Sequence, residues 1–485
     1  MNKKEAGIWL LLSLVIFIGM YLMVGLQLGG DYGQYVDMHI NREPVYPLYL
    51  AIFRWISGEN YLKIAVLVQS IIMSLSITYF LMKISELFQF HLFFKTTAFG
   101  ILIAPHIITP LFSQSHLVIT NGIMSEALAI PLFLLFIVEI LQYIYLRKNG
   151  YTIKALMAAF LLSLIRGQMM PTILIWAVVN IACAIGDIWL KEKPADAAAY
   201  LVSPVITNRL TGRNTTKTVR FIKKCLVAGI CVFLIFIART TTVKTYNYLV
   251  HGYYINNTYG SVNFAAQVLY VADEEDGQYI QDERARHMYD VIYEKLTEEK
   301  ANYRYTEGMS LIEKAYYLED KHDYIKFEAV EPLTRQYLRD LGIDGDEYYI
   351  DQNVEIDRIA GEITKAVLPH HIDKWLMNYF AISINGLVRC IAYDKSFLMW
   401  YAFVMYVLAI VATIYLYIRN RQSKAVWFMA LSILAILANV YATSLTIMCL
   451  SRYMIYEFSV FYMAFLCVCK EILELKMGNI LQAEK

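Results

Sequence analysis

Charge is scarce in this chain. Of 485 residues only 18% are Asp, Glu, Lys or Arg, 58% are hydrophobic, and the formal net charge is +1. A soluble chain of this length carries more charge and less apolar surface. The near-zero balance removes the electrostatic case for a nucleic-acid partner. Cysteine is scarce as well. The seven are Cys183, Cys225, Cys231, Cys390, Cys449, Cys467 and Cys469, and all but Cys390 lie in or beside apolar blocks. Their spacing gives neither a disulfide framework nor a zinc set. Cys467 and Cys469 stand as CxC inside the last apolar block and read as small buried hydrophobes. Internal repeats and low-complexity tracts are absent, which excludes solenoid and disordered classes.

What the chain has is long apolar blocks separated by short charged ones. That pattern predicts an all-α polytopic membrane protein. About ten transmembrane spans are expected, near 7–28, 61–83, 93–112, 127–146, 153–169, 171–190, 222–240, 397–418, 425–446 and 450–470. The first follows Lys3 and Lys4 but is too long for a signal peptide and lacks a small-residue cleavage site, so it reads as a retained span. The third is interrupted by Pro105, His106 and Pro110. Alternate connecting segments are basic: Lys3 and Lys4; Lys83 and Lys95; Arg147, Lys148 and Lys154; the 191–221 loop; Arg419, Arg421 and Lys424; Lys470 and Lys476. By the positive-inside rule these are cytoplasmic, as are both termini. The expected organisation is therefore an N-terminal membrane module over 1–240, a soluble extracytoplasmic domain over 241–395, and C-terminal membrane helices over 396–485. The 241–395 segment is acidic and tyrosine-rich. Within it Met288, Val291, Ile292 and Leu296 recur at helical spacing, and 368–392 reads as an amphipathic helix along the membrane surface.

Polar residues gather where spans reach the outer side. Asp31 leaves the first span in Gly29-Gly30-Asp31-Tyr32-Gly33-Gln34-Tyr35, and a partly desolvated carboxylate there suits a general base. Glu126 opens the fourth span, and Glu139 lies deeper in it. Arg42, Arg166 and Arg452 sit near membrane depth on the side where cations are otherwise few. Each arginine alone reads as a headgroup contact; together with the carboxylates they suit a phosphate. His370-His371 and the acidic turns Asp273-Glu274-Glu275-Asp276 and Asp344-Gly345-Asp346-Glu347 lack a full metal-ligand spacing.

The order of these features resembles the GT-C integral-membrane glycosyltransferases, especially bacterial relatives of protein O-mannosyltransferase and aminoarabinose transferase. The resemblance rests on Asp31 and Tyr35 after the first span, then Arg42-Glu43-Pro44-Val45-Tyr46-Pro47, Ser125-Glu126, Arg166 and Arg452-Tyr453. It covers 1–240 best and the last spans less well; 241–395 matches nothing in it. It implies a GT-C-like fold and a catalytic Asp31. It also implies a substrate site of Tyr35, Arg42, Glu43, Tyr46, Glu126, Arg166, Arg452 and Tyr453. The donor would be a polyprenyl-phosphate sugar, and the acceptor a cell-envelope glycan, lipid or protein. Asp31 and Asp37 are six apart, so no Asp-x-Asp stands in the first loop, and a metal-independent reaction without cofactor is expected. A lipid-linked glycan polymerase or ligase, and a lipid or glycan transporter, are the alternative readings.

Overall fold

The structure, a computed structural model, describes residues 3–112, 116–187, 206–343, 350–393 and 396–483. Residues 191–205 of the basic loop and the 344–347 acidic turn lie outside the described residues. The chain is helical throughout. The only β pairing among the described residues is one parallel bridge between Gln27 and Gly122.

The N-terminal helices are α1 (Lys3–Val24), α2 (Tyr32–Val36), α3 (Val45–Ser57), α4 (Tyr61–Phe88), α5 (Leu92–Phe112), α6 (Glu126–Leu146), α7 (Asn149–Ile165), α8 (Pro171–Ile185) and α9 (Ile206–His251). Six further helices follow: α10 (Gly260–Val271), α11 (Glu283–Glu298), α12 (Leu311–Tyr324), α13 (Glu331–Asp340), α14 (Ile350–Val367) and α15 (Ile372–Ile391). The chain ends with α16 (Ser396–Arg419), α17 (Lys424–Ser444), α18 (Ser451–Met454) and α19 (Tyr456–Ala483).

Eight helical stretches among the described residues are long and apolar enough to cross a membrane, so the chain is a multi-pass helical membrane protein. They account for eight of the ten expected spans. The fifth expected span falls on α7, which has only 17 residues. The tenth falls on α19, which is not among the eight. The apolar surface is of the kind only lipid tolerates. On α9 the side chains of Leu226, Val227, Ile230, Phe233, Leu234 and Ile237 are all exposed. By contrast α6 is apolar and buried on nearly every side, packed between α4 and α7. Its Glu139 finds its partner in the Tyr79 hydroxyl at 2.6 Å. Helix α5 runs on through Pro105 and Pro110, and the Thr109 hydroxyl bonds both the Pro105 carbonyl and Tyr393.

Helix α9 has 46 residues and continues without a break across position 240. The segment after it folds around a compact apolar core that includes Val262, Leu269, Ile292, Leu296, Leu318, Ile359 and Ile363. Its helix starts are set locally: Asp282 accepts from the Ala285 amide, and Ser310 and Glu313 close a capping box. Met288, Ile292 and Leu296 line the buried face of α11, as their spacing predicts. Between α12 and α13 the backbone widens into a π-helical turn, Ile325–Val330. Helix α15 is two-faced. Ile372, Leu376, Met377, Phe380 and Ile384 are exposed, while Asn378, Ala381, Ile382, Asn385 and Arg389 are buried against the bundle. Arg389 grips Glu319 with both terminal nitrogens, at 2.8 and 3.1 Å, and so ties α12 to α15.

Candidate active site

The first loop is held rigidly. Tyr46, at the start of α3, is fully buried and donates to the Gln69 side chain at 2.8 Å. Gln69 in turn donates to the carbonyls of Thr120 and Gly122. Tyr35 packs edge-on against Tyr46, with ring centroids 4.9 Å apart, and donates to the Ser125 hydroxyl. Tyr46 therefore supports the site from behind, and Tyr35 forms its floor.

Asp31 stands at the N-cap position of α2, yet its carboxylate makes no capping bond. It turns instead to two guanidiniums, Arg42 at 2.8 Å and Arg452 at 3.2 Å. Burial alone would push the Asp31 carboxyl up. The charges of Arg42, Arg452 and Arg166 outweigh it and hold the group below the usual carboxylate range. Asp31 is thus a permanent anion at neutral pH, and a weak base while both arginines stay on it.

Arg166 follows the last turn of α7 in an extended conformation. It pairs with Glu126 at 2.6 Å, donates to Ser125 at 3.2 Å, and lies over the Tyr453 ring at 4.6 Å. Arg452 also packs on Tyr453, 4.8 Å from the ring centroid, and donates to its hydroxyl. Gln168 connects this group to the bundle through Asn439 and the Tyr453 carbonyl. The structure thus brings together Asp31, Tyr35, Arg42, Glu126, Arg166, Arg452 and Tyr453, with Ser125 joining Tyr35, Glu126 and Arg166. Three guanidiniums share two carboxylates there.

Glu43 turns away from this group and pairs with Arg239 of α9. Burial pushes its carboxyl up to about 7, with Arg239 opposing. The backbone of Gly167 passes so close that a Cβ there would come within 2.9 Å of the Glu43 carboxylate. Beside it, burial and the nearby Arg42 charge press His39 down to about 4.

Two cavities meet at Arg42, Glu43, Gly167, Asn263 and Tyr453. The first, of about 620 Å³, is polar: Asp31, Arg42 and Arg452 line one wall, and Tyr259, His322, Asp323, Lys326 and Phe327 line another. The second, of about 550 Å³, runs among apolar side chains of the membrane helices, including Met170, Leu174, Phe236 and Leu445. Sequence reasoning missed Arg239, although a cation inside an apolar block is a signal in itself. It also did not single out the residues that the 241–395 segment supplies to the wall, where charges are common and none stands out.

Among the described residues no three His, Cys, Asp or Glu side chains gather as a metal set. The two adjacent histidines face different ways: His371 meets Asp276 at 2.6 Å, while His370 stacks on Tyr279. The 273–276 acidic turn is a capped helical turn closed by Asp273 and Asp276. All seven cysteines are free thiols. A scan of protein-family models and searches of curated proteins and of solved structures find no match to this chain.

Proposed function

We propose that the chain is a GT-C-type membrane glycosyltransferase. It moves a sugar from a polyprenyl-phosphate carrier to a cell-envelope acceptor on the outer face, by single displacement with inversion. The observation that carries this reading is the excess of one positive charge, three guanidiniums on two carboxylates, at the junction of a polar cavity with an apolar one. An apolar tail with a phosphate at its head is the ligand chemistry that such a junction fits.

In this reading the tail lies in the cavity lined by Met170, Leu174 and Phe236, and the phosphate meets Arg42 and Arg452. Drawn onto the phosphate, these arginines leave Asp31 and its basicity rises. The acceptor hydroxyl then attacks the anomeric carbon as its proton passes to Asp31. The bond to the phosphate oxygen breaks, and the phosphate departs with the electron pair, stabilised by the guanidiniums. Tyr35, Glu126 and Tyr453 hold the arginines in place. The polymerase or ligase reading draws on one observation, that residues of the 241–395 segment form a wall of the polar cavity.

The test is a transfer assay with purified protein, labelled polyprenyl-phosphate sugars and a membrane extract as acceptor pool. Wild type should transfer and Asp31→Asn should not, while still folding and binding carrier. Transfer unchanged in Asp31→Asn would remove that residue from the chemistry. No transfer by folded wild type from any carrier would overturn the reading.

A further inference from the structure

The polar cavity's second wall has a composition of its own. It comes from the start of α10, the end of α12 and the π-helical turn. A π turn sacrifices regular helix geometry and occurs often where a side chain must be aimed. Here it turns Lys326 and Phe327 into the cavity. Lys326 has a side chain only 6% exposed. A buried ammonium is costly unless its donors and its charge are met. Asp323, at 3.3 Å, is its one hydrogen-bond acceptor among the described residues, and that carboxylate, 63% exposed, is shared with the His322 ring at 3.4 Å. The ammonium also lies near the faces of Phe327, at 4.2 Å, and Tyr259, at 5.4 Å, with His322 and the Glu331 carboxylate within electrostatic reach. Two of three N–H donors are left for a ligand.

The rest of the wall is suited to hydroxyl groups. Asn256, Asn257, Thr258 and Asn263 line the same space, and the Asn263 amide oxygen is buried without a hydrogen-bond partner. The Thr258 hydroxyl donates to Asn41, which fixes this wall to the loop that carries Asp31. Rings for stacking, amides for hydroxyls and a single buried cation form one recognition surface.

We propose that this wall binds an anionic glycan, with Lys326 taking its phosphate or carboxylate and Phe327 and Tyr259 offering faces to a sugar ring. That this glycan is the acceptor of the transfer rests on the transferase reading; the binding site does not.

The test is equilibrium binding to the full chain in nanodiscs. The probes are three forms of one glucan oligomer: neutral, phosphorylated and oxidised to uronic acids. Wild type should prefer at least one charged form by about tenfold, and which one it prefers identifies the anion. Lys326→Gln should reduce that preference to about twofold or less, and Lys326→Arg should keep most of it. Asp323→Asn, at an exposed side chain, removes the competing carboxylate and should strengthen the preference by about threefold. It keeps the idea open to refutation if Lys326→Gln does not fold. Equal affinity of wild type for neutral and charged forms would overturn the proposal. So would a preference unchanged by Lys326→Gln, or one unchanged or weakened by Asp323→Asn. A charge preference in a protein that transfers no sugar would leave this site standing and the transferase reading fallen. Transfer without a charge preference would do the reverse.

Discussion

The polar cavity has two unlike walls. Behind the wall from the membrane helices the ion pairing is dry: Glu126 is held by Arg166 with side chains 3% and 16% exposed. On the outward surface of the 241–395 segment the ion pairs are wet. Arg358 there serves Glu355 and Asp282 but is itself 39% exposed. The same residue types do different work in the two places. In dry surroundings the loss of one partner strands a buried charge, whereas in wet surroundings water replaces it.

Substitutions can sharpen or break this contrast. The largest effect is expected for Asp31→Asn, which should slow sugar transfer by about 10²–10⁴-fold, measured at saturating donor. Next, Arg166→Ala should cost about 3–5 kcal/mol of stability by leaving Glu126 buried and unpaired. Thermal unfolding in detergent would measure it, and adding Glu126→Gln should restore part of the loss.

A pH series comes third. Glu43, raised to about 7 when folded, binds a proton that the unfolded chain has released, so its contribution to stability declines as pH rises from about 4.5 to 7. His39, lowered to about 4, works in the opposite sense and adds stability as pH rises from about 4 to 6.5. The two oppose each other in wild type. Glu43→Gln should expose the His39 slope, on the order of 1–3 kcal/mol between pH 4 and 6.5, read as a melting temperature that climbs with pH. The smallest effect is expected for Arg358→Ala, at most about 1 kcal/mol despite its two carboxylate partners. An equal loss for Arg166→Ala and Arg358→Ala would end the comparison.

Legibility in the sequence follows the same divide. In apolar blocks a charge is conspicuous, so Asp31, Glu126, Arg166 and Arg452 could be picked out singly, and the structure then shows them touching. The helical character of α5 despite two prolines, and of α11 from its spacing, was equally open to reading. What could not be read were pairings across the chain. Nothing near Glu43 announces Arg239, 196 positions away. Nothing in Lys326-Phe327 distinguishes it from the many charged and aromatic residues around it, because the π turn that aims it has no signature in hydrophobic period. The expected span at 450–470 also shows the limit of periodicity, since α19 begins only at Tyr456 and the short helix α18 carries Arg452 separately.

Helix α9 has a mechanical side. Its 46 residues make an unbroken rod about 69 Å long. Near one end it is fastened to the first loop twice, by Arg239 on Glu43 and by His251 on the Met38 carbonyl. A rod fixed this way is a lever. A tilt of about one degree imposed at Ile206 displaces the other end by about 1 Å. Whatever grips the Ile206 end of α9 therefore holds a handle on the first loop.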